Sequence, residues 1–523
     1  MVSAAIEETE VLIVGAGAAG TLVAAKLAEA GRKVVVLEAG APWRVEDMVS
    51  SQLWARRLKG TPGVTSVGGN PVSAAFNTGA GFGGSAIHYY ASSIRLQPED
   101  FKVRSIYGRS ADWPFDYDAL RPYYDKVQRE IGISGDAAAE KWRPEGEPYP
   151  MPPLLQQTQA DVITRGFQAK GLALSPTPTA INSEEYNGRG ACLYDGWCDA
   201  GCPIGALANP LVTHMPPAIK AGAEFRPWST VVRVNTDASG AKVTGVTYAD
   251  KDGVRHEVRA QVVVIAALAL QAPRLLLASA TDKHPRGLAN SSDAVGRYLM
   301  SLPIAYTYGL FDEPTDPFMG VNGGNVMCQD HYLGKKREAY FGSTTWLIGQ
   351  SLKPNDLVSI ANARSDLFGD PLHAFIKKAS HHLGGILLVG EDQPDADNRI
   401  MLTEDKDRFG VPVARAIHTF GPDPTTLHKT QMVEAAEIMR AAGATEVWHG
   451  PLSTLGLYGT TRMGNDPATS VTNGYGQAHD IPNLFIAGSS LFPTTGAVAP
   501  TFTLLATSYR TADFIAEKWG SFG

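Results

Sequence analysis

The sequence predicts a mixed α/β fold in which one discontinuous domain is assembled from the start, middle and end of the chain. Three observations predict it. Residues 9–40 read as strand, glycine turn, helix and strand; residues 231–279 read as a small antiparallel meander leading into a buried strand and a helix; residues 484–519 read as another strand and an apolar-periodic helix.

The opening unit, TEVLIVGAGAAG, takes an apolar strand at residues 11–14 into Gly15, Gly17 and Gly20. Residues 21–30 then place Leu22, Ala25 and Leu27 on one helical face, and KVVVLEAG forms a second strand ending in Glu38. Gly15 permits the tight turn, Gly17 lets the backbone approach a pyrophosphate, and Gly20 lets helix and strand pack closely. The helix N-terminus offers unpaired N–H groups to an anion, and the Glu38 carboxylate can accept hydrogen bonds from a ribose diol. A lone glycine triplet is a weak signal; with strand, helix, second strand and acid all in place it points to a dinucleotide site.

In the middle segment, alternating apolar and polar residues are broken by the turns DASG and DKDG, which gives two or three antiparallel strands. They lead into an apolar strand at 262–266 and a helix carrying Pro273 and Leu275 to Leu277. Near the C-terminus, NLFIAGSS runs a strand at 484–487 into Gly488, followed by a helix from about Thr501 to Trp519. The first domain is therefore expected to comprise residues 1–105, 215–300 and 450–523. Residues 106–214 and 301–449 are expected to form a second, substrate-facing lobe, with a cysteine-rich loop at 192–203. The proline-rich segment 144–153 reads as a surface connection.

Composition narrows the function. A formal charge of -7 without a basic arm makes nucleic acid an unexpected partner. The longest apolar run, residues 262–270, is far short of a bilayer span, so no membrane span is expected. The start MVSAAIEETE has acidic residues where a signal peptide would be basic and then apolar, which predicts a cytoplasmic protein, export with a signal-bearing partner aside.

Six blocks, in order, carry a resemblance over nearly the whole chain. They are Gly15 to Gly20 with Glu38, GAGFGGSAIHYY (79–90), DWPFDYDALRPYYDKVQREIGISG (112–135), GEDQPDADNRI (390–400), GTTRMG (459–464) and NLFIAGSSLFPTTGAVAPT (483–501). The chain resembles the glucose-methanol-choline (GMC) family of flavoprotein oxidoreductases. The resemblance implies FAD as the dinucleotide, a Rossmann-type FAD domain, and a substrate lobe built on an antiparallel sheet. By position it implies that Gly83, Gly84 and Ser85 line the flavin, that Val232 meets the adenine through its backbone, and that Gly488 lies near the ribityl chain. His88 matches a histidine that some pyranose oxidases link covalently to FAD and that many relatives keep without the link.

The loop CLYDGWCDAGCP holds Cys192, Cys198 and Cys202, three of only four cysteines. A disulfide would leave one thiol over, a structural zinc would need a carboxylate such as Asp195 or Asp199 as its fourth ligand, and inert buried thiols are a third reading. Within the family, the C-x5-C-x3-C spacing resembles the catalytic subunits of bacterial membrane-linked FAD glucose dehydrogenases, where it holds a 3Fe-4S cluster. That resemblance implies an iron–sulfur relay and an electron-transfer protein or quinone as acceptor.

Two positions depart from the family. Its usual proton-accepting pair, a histidine and an asparagine or histidine, falls here on Gly456 and Ala499, neither of which can accept a proton. The neighbouring Tyr458 then becomes the candidate proton donor for chemistry at a carbon–carbon bond next to a carbonyl, against the reading that it only packs. His449, His381 and His382 are weaker candidate bases. Arg462 is expected to brace its loop, and GEDQPDADNRI to be a solvated turn and not a metal site. The expected activity is hydride transfer between FAD and a small organic molecule, with reduction or desaturation of an enone or cyclic ketone preferred. Dehydrogenation of an alcohol or sugar is the alternative, and a non-catalytic electron-carrying subunit the second.

Overall fold

The computed structural model describes residues 7–522. Residues 1–6, part of the stretch on which the compartment expectation rests, lie outside the described residues. Strand Glu7–Val14 pairs in parallel with Val34–Leu37 on one side and with Arg255–Ile265 on the other, and Glu224–Arg226 extends the sheet beyond Val34–Leu37. Four consecutive fully buried residues in Val34–Leu37 suit a strand covered on both faces. Helix Ala18–Glu29 covers one face and packs against the C-terminal helix Thr501–Glu517.

Strand Arg255–Ile265 has two duties. Its first half is antiparallel to Val243–Ala249, which in turn pairs with Thr230–Thr236, and its second half runs parallel to Leu484–Ile486. The expected meander thus has three strands, and the expected strand at 262–266 is the buried end of a longer one. Helix Leu268–Ala278 follows, with Pro273 inside it.

The second sheet is antiparallel, as the family resemblance implies. Its order is Glu446–His449, Met300–Leu310, Leu383–Gly390, Thr344–Ile348, Val326–Cys328 and Ser175–Pro176, with Ser453–Tyr458 also paired to Met300–Leu310. Side chains alternate across it. Trp346 meets Phe167 of helix Thr158–Ala169, and a side chain at Gly384 or Gly390 would strike Ile163 or Leu427, so one face is pressed against Thr158–Ala169 and Pro422–Ala441. Leu347, Leu387 and Val389 point the other way, into a cavity.

Two segments cross the expected domain boundary. Helix Tyr117–Ile131, assigned above to the substrate lobe, packs against Thr501–Glu517 of the first domain. Strands Arg399–Lys406 and Pro412–Ile417 join Val64–Val67 in a three-stranded sheet packed on helix Leu268–Ala278. Among the described residues no helix is long and apolar enough to cross a membrane.

Candidate active site

One continuous cavity runs between the two sheets, lined at one end by Gly15, Gly17 and Glu38 and at the other by Leu347, Leu387 and Val389. The glycine turn is built by exclusion. Gly15 has φ +104°, and a side chain on it would come 2.6 Å from the Ala266 carbonyl oxygen. On Gly20 a Cβ would stand 2.0 Å from the Gly15 carbonyl oxygen, which is the close helix–strand contact the spacing predicts. Gly17 caps helix Ala18–Glu29, and a Cβ on Gly84 (φ +54°) would come 2.9 Å from the Gly17 Cα. The two loops therefore meet backbone to backbone on the cavity wall.

Glu38 holds this end together. Its carboxylate accepts hydrogen bonds from the backbone N–H groups of Ala16 (2.9 Å), Gly40 (2.8 Å) and Gly81 (2.9 Å). Burial raises its pKa, and the three donors oppose that rise. Two of the bonds fall on Oε1 and one on Oε2, which leaves acceptor capacity on Oε2 toward the cavity. Ser229, Thr230 and Val231 line the same end. Val232 points its side chain into a small core with Ala249 and Val411, but the ladder to Val243–Ala249 skips it, so its backbone is outside the regular pairing. Arg274, Asp407 and Phe409 complete this end. Sequence reasoning missed them, since nothing near residue 407 signals a nucleotide and only the chain's return brings it there.

Gly84, Ser85, His88 and Gly488 line the middle of the cavity, and Gly83 stands just behind the wall with its φ at +90°. A Cβ on Gly488 would meet no protein atom within 4 Å. A trough opened by Gly84 and Gly488, beside a helix N-terminus and a ribose-competent acid, fits a dinucleotide. Buried His88 donates from Nε2 to the Thr78 carbonyl (3.2 Å), and burial, with Lys59 nearby, pushes its pKa down to about 4.

Gly456 and Ala499 both line the cavity near its far end. Gly456 adopts φ +71°, donates its N–H to Asn77 Oδ1 (2.8 Å) and accepts from Ser301 Oγ (2.7 Å). Tyr458 differs from expectation: it is fully buried, is not on the wall, and donates its hydroxyl to the Val498 carbonyl (3.2 Å). The left-handed turn at Gly456 and the register shift between Leu455 and Tyr458 turn the ring behind the wall. Burial alone drives its pKa well above the ordinary tyrosine value.

The other candidate bases are off the cavity. His449 faces Thr307 Oγ1 (3.1 Å) on the helix-covered side of the sheet. His381 pairs with Asp316 (2.9 Å) and His382 with the Glu313 carbonyl (3.0 Å), both on the outside. Arg462 braces its loop by donating twice to the Thr469 carbonyl (3.0 and 2.9 Å).

The motif GEDQPDADNRI is not simply a solvated turn. Glu391 and Asp392 are buried, and Glu391 accepts from Lys335 Nζ (2.8 Å), which also reaches Asp100 (2.6 Å). Asp100 takes the Tyr332 hydroxyl (2.7 Å), and Tyr332 accepts the Ala497 N–H (3.3 Å). This buried network stands directly behind the cavity segment 497–499. An isolated buried charge is prohibitive, so the three ionisable groups require one another.

The cysteines are all unpaired. Each sulfur of the loop accepts from a backbone N–H: Cys192 from Tyr194 (3.3 Å), Cys198 from Asn322 (3.5 Å), Cys202 from Leu207 (3.4 Å). Burial raises all three pKa values, that of Cys192 up to about 11. Tyr194 and Cys202 adopt φ of +57° and +54°, conformations uncommon for residues with side chains. The loop packs behind the cavity wall: a Cβ on Gly201 would come 3.2 Å from Ile87, next to His88. Among the described residues no three His, Cys, Asp or Glu side chains are gathered to hold a metal ion.

A dinucleotide-type parallel sheet, an antiparallel second sheet and one cavity between them define a two-lobed flavoenzyme architecture. Residues 9–304 and 394–508 match the GMC oxidoreductase family. The chain is 31% identical to the fructose dehydrogenase large subunit of Gluconobacter japonicus, over 97% of each chain. It is also 31% identical to a 2-methyl-1,2-propanediol dehydrogenase of Mycolicibacterium austroafricanum, over 98% of this chain and 96% of that one. Two solved structures share the fold: a formate oxidase variant from Aspergillus oryzae RIB40 (15% identity, TM-score 0.69, 99% of each chain) and a pyridoxine 4-oxidase from Mesorbium loti (18% identity, TM-score 0.64, 97% of this chain and 99% of that one). The chain belongs to the GMC family of FAD-dependent oxidoreductases.

Proposed function

We propose that the protein acts on a small organic substrate at a carbon–carbon bond next to a carbonyl, as an ene-reductase or desaturase. The observation that supports this most is that Gly456 and Ala499 both wall the cavity and neither can take a hydroxyl proton. Bound FAD supplies the two-electron hydride chemistry. The residues that would hold it are Gly15, Gly17, Gly20, Glu38, Gly83, Gly84, Ser85 and Gly488, with Val231 and the Val232 backbone at the adenine end. His88, neutral at physiological pH, stays a donor to Thr78 and helps shape the wall. Tyr458 supports Val498 and so positions Ala499.

Alcohol dehydrogenation is the second reading, favoured by relatives named for a sugar and a diol. Anaerobic spectroscopy separates the two. Reoxidation of the reduced holoenzyme by cyclohex-2-enone is the expected result, and rapid flavin bleaching by glucose or a simple polyol would overturn it. If every alcohol, ketone and enone fails to turn over with an artificial acceptor while flavin is bound, the chain is a non-catalytic electron-carrying subunit.

We also propose that Cys192, Cys198 and Cys202 take up a 3Fe-4S cluster and that the electron acceptor is a protein or quinone. Support comes from the N–H donors aimed at all three sulfurs and from the loop's place behind Ile87. The ligands are not gathered as they stand, so the loop would have to close on the cluster. Iron and acid-labile sulfide analysis of anaerobically purified protein tests this, and a flavin-only preparation would refute it.

A further inference from the structure

The far end of the cavity is poor in free polar groups, although it is not devoid of polar side chains. Gln350 accepts from the Tyr306 hydroxyl (2.6 Å) and donates to the Asn322 carbonyl (2.8 Å). Asn77 is tied to the Gly456 N–H and donates to the Ser73 carbonyl (3.1 Å), and Thr345 accepts from Gln329 (3.0 Å). Leu302, Leu347, Leu387, Val389 and Leu455 supply apolar surface beside them. A sugar would bring several hydroxyls into a space where few partners are left, and each unpaired hydroxyl would carry a desolvation penalty of about 1–3 kcal/mol.

Three successive side chains with titratable groups, His88, Tyr89 and Tyr90, lie on the wall. His88 is engaged with Thr78, and Tyr89 donates to the Ala208 carbonyl (2.7 Å). The Tyr90 ring packs edge-on against Phe76 (6.2 Å between centroids), and its hydroxyl has no hydrogen-bond partner among the described residues. Ser92, two residues on, also lines the cavity. Gly323 fixes this segment from behind, since a Cβ there would come 2.3 Å from the Tyr90 carbonyl oxygen. A phenol held in place on the wall of a mainly apolar cavity, with Asp199 and Asp356 as its charged neighbours but no hydrogen-bond partner among the described residues, is free to donate to whatever occupies that cavity.

We infer that Tyr90 anchors the substrate through one oxygen, its O–H donating to the carbonyl of a compact, mainly hydrocarbon molecule such as a cyclic ketone or enone. Burial keeps the phenol neutral, with a pKa well above the ordinary value, so it remains a donor at any physiological pH. This deepens the carbonyl reading given above and rests on it for the identity of the oxygen.

The test is equilibrium binding to oxidised holoenzyme, followed by calorimetry and by the flavin absorption band, with cyclohex-2-enone and with methylenecyclohexane, a hydrocarbon of similar shape. Wild type is expected to prefer the enone. Tyr90→Phe keeps the ring against Phe76 and is expected to weaken enone binding about 3- to 10-fold, leaving hydrocarbon binding, flavin content and thermal midpoint unchanged. Wild-type affinity of Tyr90→Phe for cyclohex-2-enone and cyclohexanol alike overturns the anchor. If Tyr90→Phe weakens cyclohexanol binding instead and cyclohexanol bleaches the wild-type flavin, the anchor stands and the enone reading falls. If enone reoxidises reduced wild type but binds Tyr90→Phe with wild-type affinity, the reading stands and the anchor falls.

Discussion

Gly456 and Tyr458 share one volume. A Cβ on Gly456 would come 2.9 Å from Tyr458 Cε2 and 3.1 Å from its hydroxyl oxygen, in a left-handed backbone that side chains rarely adopt. The tyrosine thus occupies the room a histidine at 456 would need. Gly456→His is expected to destabilise the protein by about 1–3 kcal/mol, read as a lower thermal midpoint, and pairing it with Tyr458→Leu should relieve part of that loss. Tyr458→Phe removes one buried hydrogen bond and should cost about 1 kcal/mol of stability with little change in turnover; a collapse of turnover would return Tyr458 to the chemistry. His88 carries a pH dependence. Its folded pKa of about 4 lies below the model-compound value of 6.5, so between those values the unfolded chain binds a proton that the folded one does not. Stability should therefore fall as pH drops from about 6.5 to about 4, by about 3 kcal/mol in all, and His88→Gln should flatten that limb of a denaturation series.

At the scale of elements, the structure is tied by a few buried polar junctions. Glu38 joins the glycine turn, the end of strand Val34–Leu37 and the 79–84 loop through three backbone donors. Glu38→Gln sets an amide N–H2 against one of those donors, and flavin retention on a desalting column should drop at least 10-fold. Lys335 neutralises Asp100 and Glu391 in a site with no exposure on any of the three side chains. Lys335→Met would leave two carboxylates without a cation and is expected to cost about 3–5 kcal/mol, measurable by urea unfolding. The glycine unit was legible because each glycine answers a local steric demand visible in the spacing. The Lys335 network was not, since Asp100 lies 235 residues before Lys335 and Glu391 56 residues after it, and the carboxylates of GEDQPDADNRI look solvated until the fold buries two of them.

For the whole molecule, the cavity lies where two sheets of different pairing face each other, and the cysteine loop backs onto its wall. If the loop binds the proposed cluster, Cys198→Ala should lose iron while retaining flavin, because Cys198 is buried behind the wall and not on it. The sequence alone determined the parts governed by local rules: the strand, glycine turn, helix and acid of residues 9–38, the three nucleotide-fold fragments, the family, and the absence of a proton-accepting side chain at 456 and 499. Spacing and steric permission are properties of neighbours along the chain, so a single sequence displays them. The tertiary structure decided which side chains face the cavity. It turned Tyr458 to Val498, placed His449 across the sheet, buried Glu391, brought Asp407 to the nucleotide end and left the Tyr90 hydroxyl without a hydrogen-bond partner among the described residues. Each outcome depends on strand register, on a left-handed turn or on contacts between distant segments, and none of these is set by local spacing.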